Sequence, residues 1–194
     1  MNRGPRDLVA VLLTGLALLT GCGSDDEQAD PPAQRVADVA TDLTPCPAQP
    51  DTPAAGSDLP AVSLDCYGGG SLDLGRAPGT PTVLNLWASW CGPCREELPV
   101  VQQLADAGGE QLRVLGIVSK DGVPQGTSFA TDAGVTFPSA FDGAGQVMTA
   151  FGVNGLPLTV FMAADGSVSH VELGPVDSLE EFEELVDTHL GVQL

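Results

Sequence analysis

The sequence is poor in positive charge. Seven Lys and Arg, with Lys120 the one lysine, stand against 26 Asp and Glu in 194 residues, a formal net charge of −19. That balance argues against nucleic acid or an anionic lipid surface held by charge. Histidine is scarce as well: His170 and His189 have no partners at ligand or catalytic spacing. No second Cys or His pair stands at metal-ligand spacing, so no metal or other cofactor is expected. Long apolar runs are missing too. The apolar and small-residue stretch from Leu8 to Thr20 falls short of the ~20 residues that cross a bilayer comfortably. Internal repeats are absent.

What the chain does have is a Cys-x-x-Cys pair, Cys91-Gly92-Pro93-Cys94, at the junction of an apolar strand (Thr82 to Trp87) and a helix expected from Cys91 to Ala107. A helix N-terminus offers unpaired N–H groups and a positive dipole end, which stabilise a thiolate at Cys91. Cys94, one turn on, can reach back and close a reversible disulfide. Pro93 suits the first helical turn, where a missing N–H costs nothing, and Pro99 is expected to kink the helix. The competing readings of such a pair are half a zinc site or an ordinary structural disulfide. A c-haem attachment is excluded, because Arg95 rather than His follows Cys94.

Along the chain, residues 1–21 combine Arg3 and Arg6 with the short apolar run and read as a secretory signal. Residues 22–44, rich in Asp, Ala, Pro and Gln, read as a solvated tether, and residues 45–194 as the folded domain. Cys46 and Cys66 lie outside the redox motif. An oxidising compartment favours a structural bridge between them, with a second redox pair as the alternative. Residues 61–74, broken by Gly68-Gly69-Gly70, read as a hairpin ahead of the core. A second buried strand is expected over 111–118, a short helix over 125–133, an extended piece over 137–141 and a helix over 144–151. Strands over 158–162 and 168–173 join through Asp165-Gly166, a hairpin signal. Ser178, with Glu181 three residues on, forms a capping box for a last helix. Its apolar set Leu179, Phe182, Leu185, Val186 and Leu190 faces the sheet.

The string Trp87-Ala88-Ser89-Trp90-Cys91-Gly92-Pro93-Cys94 resembles the active site of the thioredoxin superfamily. Arg95-Glu96-Glu97-Leu98-Pro99, together with Asn85, resembles its exported TlpA/ResA-type branch. The resemblance spans roughly Leu59 to Leu190. It implies an α/β thioredoxin fold, a central mixed sheet flanked by helices, here with an N-terminal β-hairpin extension. It also implies roles: Cys91 as nucleophile and the more exposed sulfur, Cys94 as resolving thiol, and Pro157 as a cis-proline facing the pair. Leu156 would then offer backbone groups to an extended substrate. Glu97, three residues past Cys94, would be a half-buried carboxylate assisting proton transfer, with a solvated first-turn glutamate as the plainer alternative. Trp90 would be an exposed docking surface, and Trp87 half core and half platform, so that Trp87, Gly92 and Pro93 flank the site. The ending Leu19-Thr20-Gly21-Cys22 resembles a bacterial lipobox, which implies lipidation of Cys22. A plain signal peptide cut nearby, or an uncleaved anchor, is the alternative.

Taken together, the resemblance implies a thiol–disulfide oxidoreductase anchored by lipid at the extracytoplasmic face of a bacterial membrane. Its partners would be exported protein disulfides, with apocytochrome c one substrate class, and a membrane thiol-electron transporter as electron source. The alternative is an oxidase that installs disulfides. A peroxidase is disfavoured, because Leu84 and Ala88 stand where that chemistry places Pro and Thr or Ser. A binding platform without chemistry is disfavoured by the intact Cys91 and Cys94.

Overall fold

The computed structural model describes residues 35–56 and 58–194. The signal segment (1–21), Cys22 and the start of the expected tether lie outside the described residues. Strand β3 (Thr82–Trp87) is buried at every position because it is covered on both faces and both edges. It pairs in parallel with β4 (Arg113–Ser119) and antiparallel with β6 (Leu158–Met162). Adding β5 (Ser139–Asp142) and β7 (Val168–Leu173) gives a five-stranded mixed sheet in the order β5-β4-β3-β6-β7. The hairpin ahead of the core is present as β1 (Ser63–Asp65) and β2 (Ser71–Asp73), an antiparallel pair forming its own small sheet. Helices α1 (Gly92–Gly108), α2 (Val123–Asp132), α3 (Gln146–Ala150) and α4 (Leu179–Leu190) complete the set. This is the expected thioredoxin fold with its N-terminal hairpin. No described helix is long and apolar enough to cross a membrane.

Alternation along β3 divides the core in two. Val83 and Trp87 turn to one face, where Leu98 and Val101 of α1 and Phe182 and Val186 of α4 meet them. Leu84 and Leu86 turn to the other, against Leu64 and Leu72 of the hairpin and Val147 and Met148 of α3. Asn85 shares its direction with Val83 and Trp87, so the one polar residue of this strand's interior points under α1.

Several expectations need correction. Packing begins before residue 45: Val36 and Leu43 are buried in the helix-side core, so this stretch belongs to the packed body and not to a solvated tether. The extended piece over 137–141 is a true strand that starts two residues later and ends one residue later. Its parallel pairing with β4 starts at Ser139, after Pro138, which lacks a backbone donor. Pro99 lies within α1 without ending it. Trp87 is not half platform; it is wholly buried and packs on Phe129 of α2, ring centroids 5.6 Å apart. The two histidines meet each other as a packing pair, which is neither a ligand nor a catalytic pairing and leaves that expectation as it stood. Register on β7 and the last turn of α4 stack their rings 3.9 Å apart, with His170 Nε2 3.1 Å from Glu172 Oε2.

Candidate active site

The local sequence builds the site at the end of β3. The strand stops at Trp87, and the chain turns through Ala88, Ser89 and Trp90 before α1 begins. Asp121, from the loop after β4, fixes that turn by accepting from the Ser89 backbone N–H at 2.6 Å and the Ser89 hydroxyl at 3.0 Å. The Trp90 indole N–H donates to the Lys120 carbonyl at 2.9 Å, while the ring stays 54% exposed. Trp90 is thus an exposed surface held in one orientation. Asp121 carried no sequence signal, because its partner lies 32 residues away.

Cys91 is the N-cap of α1. Its backbone is extended, and its Sγ accepts from the Cys94 N–H at 3.2 Å. Sulfur therefore takes the place of the oxygen that usually caps a helix, aligned with the positive end of the macrodipole. Pro93 occupies the first turn, and Gly92 is exposed beside it. Cys91 and Cys94 are joined, with Cα atoms 5.4 Å apart. Cys91 retains 4% exposure and Cys94 none, so both sulfurs are covered in the bonded state. Arg95 lays its guanidinium 4.4 Å over the Phe129 ring.

Beneath the pair lies a polar network that the sequence indicated only in part. Glu97 is 1% exposed, which corrects both the half-buried and the solvated expectations. One carboxylate oxygen accepts from Asn85 Nδ2 at 2.9 Å, the other from the Val176 backbone N–H at 3.0 Å. The second Asn85 amide hydrogen goes to Thr159 Oγ1 at 3.0 Å, across the β3–β6 register. Burial pushes the Glu97 carboxyl above the usual carboxylate range. The bonds from Asn85 and Val176 pull it back in part, and Asp177 adds a further push upward. Helical spacing from Cys94 predicted the face; the carboxylate's own partners are Asn85 on β3 and Val176 in the loop after β7, and Thr159 on β6 joins through Asn85, with Val176 and Thr159 too distant in sequence to be inferred.

The peptide bond between Leu156 and Pro157 is cis. Leu86 pairs with Leu158, so Pro157 stands level with the end of β3, beside the turn that leads to Cys91. The Pro157 carbonyl accepts from the Gly174 N–H at 3.2 Å. An open groove of about 450 Å³ runs along this edge, lined by Asn154, Leu156, Pro157 and the exposed Leu173. Away from this edge, Cys46 and Cys66 are joined with Cα atoms 6.0 Å apart. Cys66 forms a bridge to Ala140 of β5, so this bond ties the N-terminal segment to the sheet edge. Among the described residues, no group of three His, Cys, Asp or Glu side chains converges as a metal site would require.

A disulfide-forming pair on a helix N-terminus, over a buried carboxylate and beside a cis-proline, suits thiol–disulfide exchange. Residues 54–187 match the redoxin family. The chain belongs to that family. Over 122 residues it is 31% identical to the thiol-disulfide oxidoreductase ResA of Geobacillus thermodenitrificans (strain NG80-2), covering 62% of this chain and 70% of that protein. Over 135 residues it is 28% identical to the thioredoxin-like protein YneN of Bacillus subtilis (strain 168), covering 68% of this chain and 78% of that one. Among solved structures it is similar to dsbF of MTB, seen in mixed oxidized and reduced forms, with a TM-score of 0.60 and 32% identity. That match covers 68% of this chain and 96% of the other. This redoxin is a TlpA/ResA-like thiol–disulfide oxidoreductase.

Proposed function

We propose that this redoxin reduces disulfides of exported proteins, with Cys91 as the attacking thiol. The observation that carries the proposal is the cap: Cys91 Sγ accepts the Cys94 N–H at the start of α1, a setting that stabilises a thiolate. The Cys91 thiolate attacks one sulfur of a target disulfide, and the other target sulfur leaves as thiolate. Glu97 takes the proton of Cys94, whose thiolate attacks Cys91 Sγ and expels the second target sulfur. The Cys91–Cys94 disulfide forms, and two electrons have passed to the target. Trp90, Leu156 and Pro157 form the docking edge for the extended target segment. Cys46–Cys66 is a structural bridge.

The protein acts outside the cytoplasm, held at the membrane by a lipid on Cys22, and draws electrons from a membrane thiol transporter. The basic and apolar signal ending in Leu19-Thr20-Gly21-Cys22 supports this placement, and two acyl chains suffice for stable anchoring. Apocytochrome c is the substrate class that the likeness to ResA suggests. Equilibration against glutathione tests the direction of electron flow. A potential near about −270 mV fits a reductant, whereas about −120 mV would make the protein an oxidase that installs disulfides.

A further inference from the structure

The network under the active site contains an unused acceptor. Asn85 is fully buried, and both hydrogens of its amide are donated, one to Glu97 Oε2 and one to Thr159 Oγ1, yet its Oδ1 has no partner. Leaving a buried polar atom unpaired is costly, and in a native structure it calls for an explanation. The arrangement fits one charge state of Glu97: a carboxylate can accept from the amide, and a carboxylic acid cannot present its O–H to an N–H₂ group. Protonation at Oε2 would set donor against donor.

We propose that Asn85 is a positioning residue whose amide turns by half a revolution when Glu97 takes up a proton, so that Oδ1 accepts from the new Glu97 O–H. Thr159 makes the turn feasible, because a hydroxyl both donates and accepts. Facing Nδ2 it accepts; facing Oδ1 it donates. The three side chains thus make two hydrogen bonds in either charge state, whereas a fixed amide would keep only one in the acid state. Val176 N–H holds Oε1 throughout, which leaves Oε2 as the oxygen whose partner must change. The charged or titratable groups around Glu97 are Cys91 and Cys94 on its own helix and Asp177 from the loop before α4. Asn85 and Thr159, from the sheet, are neutral. An aspartate at position 85 would place a second carboxylate against Glu97; the amide lets one carboxyl cycle between its two forms.

This inference rests on Glu97 being the proton acceptor of the exchange, and it is tested apart from that chemistry. The full chain, with Cys91–Cys94 oxidised so that neither thiol titrates, is labelled and followed by NMR through the Glu97 titration. Nuclear Overhauser contacts from the Asn85 amide hydrogens to Thr159 are expected above the Glu97 midpoint and lost below it. Glu97→Gln is expected to hold the amide in one orientation at every pH, since its own amide does not titrate. Contacts that stay the same on both sides of the midpoint would overturn the proposal, even if Glu97 titrates and the exchange chemistry stands.

Discussion

Replacing Glu97 separates its chemical role from its structural one. Glu97→Ala removes the acceptor of two buried donors, Val176 N–H and Asn85 Nδ2. Each stranded donor costs ~1–3 kcal/mol, so the loss is about 2–6 kcal/mol before any cavity is counted. Glu97→Gln is nearly isosteric: its oxygen still accepts from Val176, and its amide can meet Asn85 once that side chain turns. Its stability loss should be much smaller than that of Glu97→Ala. The exchange chemistry should respond differently. Without a proton acceptor beside Cys94, release of the mixed disulfide should slow by ~10²- to 10⁴-fold in Glu97→Gln.

The pH dependence of stability has a defined sign. Burial holds the Glu97 carboxyl above its ordinary value, so the folded chain binds this proton more tightly than the unfolded chain does. Its contribution is fully present below the ordinary glutamate pKa and is lost as pH rises through the raised folded value. Urea unfolding of the oxidised wild type and Glu97→Gln across that window measures the slope, and stopped-flow release from a trapped adduct measures the chemistry. Parallel stability–pH curves would refute the burial argument. A wild-type release rate in Glu97→Gln would refute the role of Glu97 as proton acceptor.

Other outcomes follow from the packing. Cys46 and Cys66 close a loop of sequence separation 20, and loops near that length stabilise by about 3 kcal/mol on chain-entropy grounds. The double variant Cys46→Ser/Cys66→Ser should lose that much in urea unfolding and still reduce insulin through Cys91 and Cys94; inactivity of the folded double variant would mean that the second pair takes part in exchange. Gly116 of β4 leaves no room for a side chain, since an added Cβ would lie 2.7 Å from Trp87 Nε1 and 3.0 Å from Phe137 Cε2. Gly116→Ala should therefore cost about 1–3 kcal/mol and perturb tryptophan fluorescence, and a neutral result would show that this layer of the core gives way easily.

The sequence made the site's own helix legible and left its floor obscure. Cys91, Pro93, Cys94 and Glu97 lie within seven residues, so helix capping and helical spacing sufficed to place them. The capping box at Ser178 was legible for the same reason. Ser178 Oγ accepts from Glu181 N–H at 3.2 Å, although the Glu181 side chain reaches back to Asp177 N–H. Thr159, Val176 and Asp121 reach the site only through strand register and loop packing, and nothing local marks them. The burial of Glu97 is not legible locally, because a helical glutamate is ordinarily solvated and the loop bearing Val176, 79 residues on, covers this one. Val36 and Leu43 were hidden in a polar, proline-rich context, and their burial depends on a surface assembled far along the chain. The His170–His189 stack required both the β7 register and the docking of α4.

The central claim is that Cys91 attacks and Cys94 resolves. Incubating Cys94→Ser and Cys91→Ser, each reduced, with a disulfide-bonded substrate and mapping the adducts by mass spectrometry tests it most directly. Cys94→Ser should accumulate a mixed disulfide at Cys91, and Cys91→Ser should yield none. An adduct at Cys94 in the Cys91→Ser protein, or no adduct in Cys94→Ser, would contradict the account.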